Sequence, residues 1–312
     1  MTIPADAMAA AAPQSPPPAA APAVLPARRP FYWSLRREMW ENRSLTIAPL
    51  IAAGVVLFGF TVSAVHLAHN RQEALAMAPS SQAMSIGLPY DFAAMAIIVT
   101  GLIVGGFYCL GALHNERRDR SILFWKSLPV SDLTTVLAKA TIPLIVLPLI
   151  LFAVIVVTQL IMLALSTVIL LAGGMDPSTT WTRMPFLQLW LVVAYGVAVV
   201  TLWYAPIWAW LLMVSGWARR ATFLWAVLPP LAICVIEKIA FNTDRFASLI
   251  SYRFNGFVDG FTIRTHGKVP LGPLPQIDAA GLLAAPGLWA GLAFAAAFIA
   301  VAVWQRRRRE PV

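Results

Sequence analysis

The side chains able to do chemistry in this sequence are few, and their spacing narrows what that chemistry can be. His66 and His69, in "VHLAHN", stand three apart, which puts two imidazoles on one helical face where they could share a metal ion. No third ligand lies near them in the sequence, so ordinary interfacial histidines are the expected reading. With His114 and His266 isolated elsewhere, no nucleophile, base and orienting group can be assembled from the four histidines. Cys109 and Cys234 each sit inside an apolar run, where a free thiol behaves as a small hydrophobe, and neither a disulfide framework nor a metal cluster is expected. The chain also lacks G-x-x-x-x-G-K-[ST], so it is not expected to hold ATP on such a loop. A non-catalytic chain with no cofactor of its own is predicted.

Other polar residues stand out because their surroundings are apolar. Thr158, Gln159, Tyr195 and Tyr204 lie within long apolar stretches, where they either line a translocation path or hydrogen-bond between helices. Glu237 and Lys238 end the fifth apolar run, as an outer gate or as a locally paired, snorkelling couple. The densest feature is "ERRDRSILFWKSLPVSD", Glu116 to Asp132, with seven charged residues in seventeen and four bulky apolar residues at its centre.

The elements that must position these residues are membrane spans. Apolar residues form 59% of the chain and Asp, Glu, Lys and Arg only 12%, with a mean hydropathy of +0.74, a balance suited to lipid surroundings. Stretches without those four residues run over Ser44–Asn70, Phe92–Asn115, Ala140–Met175, Met184–Ala218, Ala221–Ile236 and Ala279–Gln305. A span takes about 20 apolar residues, so six spans are predicted. Placing the N-terminus inside assigns sixteen basic residues to the cytoplasmic side and six to the outside, which predicts cytoplasmic termini in the cell (inner) membrane. On this reading the net charge of +9 reflects topology, and nucleic-acid binding is not expected.

Local patterns refine that outline. Residues 1–30, rich in Ala and Pro, are expected to be a disordered tail. From Phe31 to Arg43, Phe31, Tyr32, Leu35 and Met39 fall on one helical stripe with Trp33 and Trp40 opposite, predicting an interfacial helix on the inner leaflet. Gly101 and Gly105, like Gly287 and Gly291, have GxxxG spacing that suits packing within the chain or a dimer seam. Ser131 is a start signal for a third helix reaching Leu171, roughly 60 Å at 1.5 Å per residue, so its beginning must project beyond a bilayer core of about 30 Å. Pro143 and Pro148 are expected to bend it, and Pro206 to kink span four. Residues 241–280 form an outer segment that either caps the mouth or is a passive loop.

Within the charged segment, Ser121 and Pro129 bound room for a short helix of about two turns. Ile122, Leu123, Phe124, Trp125 and Leu128 cover too much of its circumference for a helix wetted on one side, so some must meet a partner. A solvated positive loop would explain the arginines but not "ILFW". The order of span two, "NERRDRSILFWKSLPVSDLTTVLAK" and span three resembles the permease subunits of type-2 ATP-binding-cassette (ABC) exporters at Glu116, Arg117, Ser121, Leu123, Ser127, Leu128, Pro129, Val130, Ser131 and Lys139. "RDRS" departs from the glycine many relatives carry before the hydroxyl residue.

The resemblance implies an all-α, type V ABC exporter-like membrane domain over residues 31–310, with a coupling loop at 114–139 resting in a separate ABC ATPase subunit. It also implies that ATP and Mg sit on that partner, and that the permease pairs with itself or with a second permease in the lipid. On that reading Glu116, Arg117, Arg118, Asp119 and Arg120 would fix the coupling helix, Phe124 and Trp125 would anchor it, and Ile122, Lys126 and the matched residues would complete the contact surface. A non-transport membrane assembly or regulatory protein using the loop for docking is the alternative; an ion-coupled carrier is disfavoured by apolar runs that lack charge through their depth.

Overall fold

The computed structural model describes residues 28–63, 79–119, 130–174, 176, 178, 181, 186–256 and 279–308. Residues 1–27 of the predicted tail, His66 and His69, most of the charged segment (120–129) and 257–278 of the outer segment lie outside these residues, whereas Arg28, Arg29 and Pro30 of that tail begin the first helix. Among the described residues every regular element is helical. They are α1 (Arg28–Glu41), α2 (Ser44–Ser63), α3 (Pro79–Ala112), the short α4 (His114–Arg118), α5 (Asp132–Thr141) and α6 (Leu147–Ala172). There follow α7 (Phe186–Trp203), α8 (Ala205–Trp217), α9 (Thr222–Phe241), α10 (Arg245–Asn255), the short α11 (Ala279–Ala284) and α12 (Pro286–Arg308). Six helical stretches are long and apolar enough to cross a membrane, the pattern of a multi-pass membrane protein.

Prolines and caps set the breaks. Ser131 accepts a hydrogen bond from the Thr134 amide at 3.1 Å, so α5 starts where the sequence signals it. Asp132 occupies its first turn, at the positive end of the helix dipole. A single π-helical turn, Ile142–Val146, holds Pro143 and joins α5 to α6, so Asp132–Ala172 forms one stretch of 41 residues. Span four breaks at Tyr204, two residues before Pro206, which has no amide to give. The interruption releases the Trp203 carbonyl, because the Ile207 amide turns to Tyr204 at 2.9 Å. In contrast, α3 starts well before the expected Phe92 and runs through Pro89, while span six divides at Ala285.

The main core joins α2, α3, α5, α6 and α8 through Leu45, Ile97, Cys109, Ala140, Leu147, Leu151, Trp208 and Leu212. A Cβ added at Gly101 would collide with Leu151, and one at Gly105 would lie 2.8 Å from Leu147 Cδ2. This GxxxG face therefore receives α6 of the same chain. Gly287 and Gly291 instead receive the Tyr252 and Arg253 side chains of α10. The least enclosed span is α9, where Ala226 alone is buried and Phe223, Leu228, Leu231 and Ile239 face outward.

The packing of α1 decides which of its sides meets the protein. Leu35 and Met39, from the apolar stripe, pack against the protein core, while Trp33 and Trp40 form the exposed side. The physical reason is Glu38, which lies on the same stripe and is only 2% exposed: a carboxylate can be buried there against a protein cation but not in lipid.

Candidate functional site

The ends of α1, α4, α5 and α12 converge on a buried network of ion pairs, termed here the ionic end of the bundle. At its centre is Glu116, placed on α4 just after the chain turns at Leu113. Its Oε1 accepts from Arg37 Nη2 at 2.9 Å and pairs with Lys139 Nζ at 3.2 Å. Its Oε2 accepts from Arg306 Nη1 at 2.5 Å. Lys139 also donates to Glu38 Oε1 at 2.6 Å, and the Tyr108 hydroxyl donates to Glu38 Oε2 at 3.0 Å. Arg306 completes the chain with a 3.1 Å bond from Nε to Asp132 Oδ1. Within this network three cations thus face three carboxylates.

That balance makes the site tolerable. An ion removed from water loses several kcal/mol of hydration, which only close pairing and full hydrogen bonding recover. Glu38, Glu116, Lys139 and Arg306 are all below a tenth exposed, so each depends on its partners. Burial disfavours the charge of Arg37, yet its hydrogen bond to Glu41 and the charges of Glu116, Glu41 and Glu38 outweigh that cost and raise its pKa.

One arginine holds both feet of the charged segment: Glu116 precedes it, Asp132 follows it, and Arg306 binds both. A second anchor is Arg117, whose Nη1 donates to the carbonyls of Gly216 at 2.7 Å and Ala218 at 3.4 Å. Those carbonyls close α8, so the cation lies at the negative end of that helix. His114 Nδ1 lies 3.1 Å from the same Ala218 carbonyl, and the Leu113 amide donates to Ser215 Oγ.

The five charges grouped at Glu116 to Arg120 are therefore not equivalent. Glu116 and Arg117 turn into the bundle, whereas Arg118 and Asp119 pair with each other at 3.1 Å with side chains 65% and 59% exposed. Val130 and Ser131 begin the return into α5. Arg120, Ser121, Ile122, Leu123, Phe124, Trp125, Lys126, Ser127, Leu128 and Pro129 lie outside the described residues. Sequence reasoning missed Arg37, Glu38, Tyr108 and Arg306 as members of the site. A signal was present at Glu38: a carboxylate between Leu35 and Met39 on one stripe demands a buried partner.

The other singled-out residues lie elsewhere. Gln159, fully buried, donates to the Tyr90 carbonyl at 3.2 Å and accepts from Trp190 Nε1 at 3.0 Å, tying α3, α6 and α7. Thr158 bonds Val154 in its own helix, and Tyr195 packs beside Val199 and Trp203. The Tyr204 hydroxyl donates to the Phe254 carbonyl at 2.9 Å. Glu237 accepts from Thr243 Oγ1 at 2.7 Å and from the amides of Arg245 and Phe246 at 2.9 and 2.8 Å, holding the start of α10. Lys238 pairs with Asp244 at 2.8 Å. Arg253 stacks over Trp203 at 4.9 Å and donates to the carbonyls of Trp203 and Gly287 at 3.2 and 3.1 Å. It thereby caps the carbonyl that the span-four break releases.

Comparison with protein-family models, with curated proteins and with solved structures gives no match to this chain. The geometry alone supports three statements. The ionic end joins helices distant in sequence, it holds both ends of the stretch from Glu116 to Asp132, and among the described residues no cluster of His, Cys, Asp or Glu suits a metal ion.

Proposed function

We propose that this chain is the membrane-spanning permease subunit of an ATP-driven ABC transporter, of the type V exporter kind, with the ionic end in the cytoplasm. The chain itself is non-catalytic; ATP and Mg are held by a separate ATPase subunit that grips the segment between Glu116 and Ser131. Two permease copies, or two similar chains, enclose the path in the inner membrane. The observation that carries this reading is the double grip of Arg306 on Glu116 and Asp132. A surface segment pushed by a soluble motor transmits displacement only if its feet are rigid, and buried, mutually satisfied ion pairs supply that rigidity. Arg117 and Lys139 spread the load to α8 and α1, while the π turn at Ile142–Val146 is the place where the long third helix would yield.

The test is co-purification with an ABC ATPase subunit, after crosslinking from Lys126. A crosslink to a nucleotide-hydrolysing protein, lost when Trp125→Ala and Arg118→Glu are combined, is the expected result. Unchanged association and unchanged nucleotide-dependent activity in that double variant would overturn the assignment.

A further inference from the structure

We propose that the outward face of α1 binds the phosphate headgroup of an anionic phospholipid, with Arg36 as the phosphate ligand and Trp33 and Trp40 as its flanking indoles. The inference does not depend on a transport role. While Leu35, Glu38 and Met39 turn into the protein, Trp33 and Trp40 stay 58% and 67% exposed. Arg36 lies between them, its guanidinium carbon 5.3 Å from the Trp33 ring and 4.8 Å from the Trp40 ring. A guanidinium held against aromatic rings keeps N–H groups free to donate, and its planar fork suits two phosphate oxygens.

Arg36 differs from the cations of the buried network. Arg37, Lys139 and Arg306 are matched by carboxylates, and Arg117 by carbonyls, whereas among the described residues the contacts of Arg36 are the two rings. A cavity of about 510 Å³ opens beside it, between α1 and the start of α5, with Trp33, Arg36, Arg37, Trp40, Val130 and Thr135 on its walls. Glu41, also on the wall, has its carboxylate engaged by Arg37 at 2.7 Å, and exposed Arg43 lies one turn beyond Trp40, so the site keeps a positive character.

Position selects a lipid as the occupant. Only Asn42 and Arg43 separate α1 from α2, an apolar helix long enough to span, so the Trp33–Trp40 face stands where the chain enters the bilayer. Tryptophan is favoured at that depth because its ring is apolar and its N–H is polar. A phospholipid supplies both halves, phosphate for Arg36 and the glycerol region for the indoles.

The probe is phosphatidylglycerol against phosphatidylcholine, added to the full chain in neutral detergent and counted by native mass spectrometry. Phosphatidylglycerol is expected to bind more tightly, and Arg36→Gln to weaken it about fivefold while leaving phosphatidylcholine unchanged. Arg36 is exposed, so the thermal midpoint of the variant should match the parent and report an intact fold. Brominated phosphatidylglycerol should quench the parent's tryptophan fluorescence more than that of a Trp33→Phe, Trp40→Phe variant. Three results would each overturn the proposal: equal retention of both lipids by parent and Arg36→Gln, full competition by millimolar inorganic phosphate, or a variant that keeps its lipid but loses a soluble protein partner.

Discussion

Glu116 faces three cations from three different helices, so its charge is worth more to the fold than that of any surface carboxylate. Glu116→Gln leaves Arg37, Lys139 and Arg306 facing a neutral amide and should cost about 3 kcal/mol, since uncompensated buried charge is the expensive outcome of breaking such a pair. The midpoint of unfolding in detergent checks this. Combining it with Arg306→Gln should restore part of the loss, because one excess positive charge leaves together with the missing negative one. Arg118→Ala removes only an exposed pair and should leave the midpoint within scatter. The sequence marks Glu116 and Arg117 as part of a charge run, but a run cannot say which members turn inward. Side-chain direction here depends on where the short α4 sits relative to α8 and α12, and those contacts span 99 to 190 residues of chain.

Among the elements, α10 is held by a lock between a helix break and a glycine pair. The Trp203 carbonyl freed near Pro206 receives Arg253, and Gly291 lacks the Cβ that would displace that guanidinium. Gly291→Ala and Arg253→Ala should therefore loosen α10 alike. Maleimide labelling of a Ser251→Cys reporter reads the effect, with at least a severalfold faster rate expected in both variants. At the other end, Ser131→Ala removes the cap of α5 and should cost about 1 kcal/mol, visible as a lower unfolding midpoint. The helices were legible because apolar length, prolines and a capping serine are local signals. Neither the early start of α3 nor the orientation of α1 was, since apolar periodicity shows that a face is buried without saying whether lipid or protein covers it.

For the molecule as a whole, the proposed function places the ionic end in the cytoplasm. In a Cys109→Ala, Cys234→Ala background, a membrane-impermeant maleimide applied to intact cells should label Ser248→Cys, at α10, and spare Arg219→Cys, at the turn between α8 and α9. The opposite pattern would set the charged segment on the wrong side for any soluble motor. The sequence by itself determined an all-helical chain with six apolar spans, the long third helix starting at Ser131 and the break in span four near Pro206. Each follows from composition and from backbone groups that neighbours in the chain either satisfy or leave open. Tertiary structure alone decided that Glu38, Glu116, Asp132, Lys139, Arg37 and Arg306 form one neutral network, and that a single arginine holds both feet of the charged segment. The reason is electrostatic: a buried charge is stable only beside its counter-charge, and which residues meet is set by how the helices pack rather than by their separation along the chain.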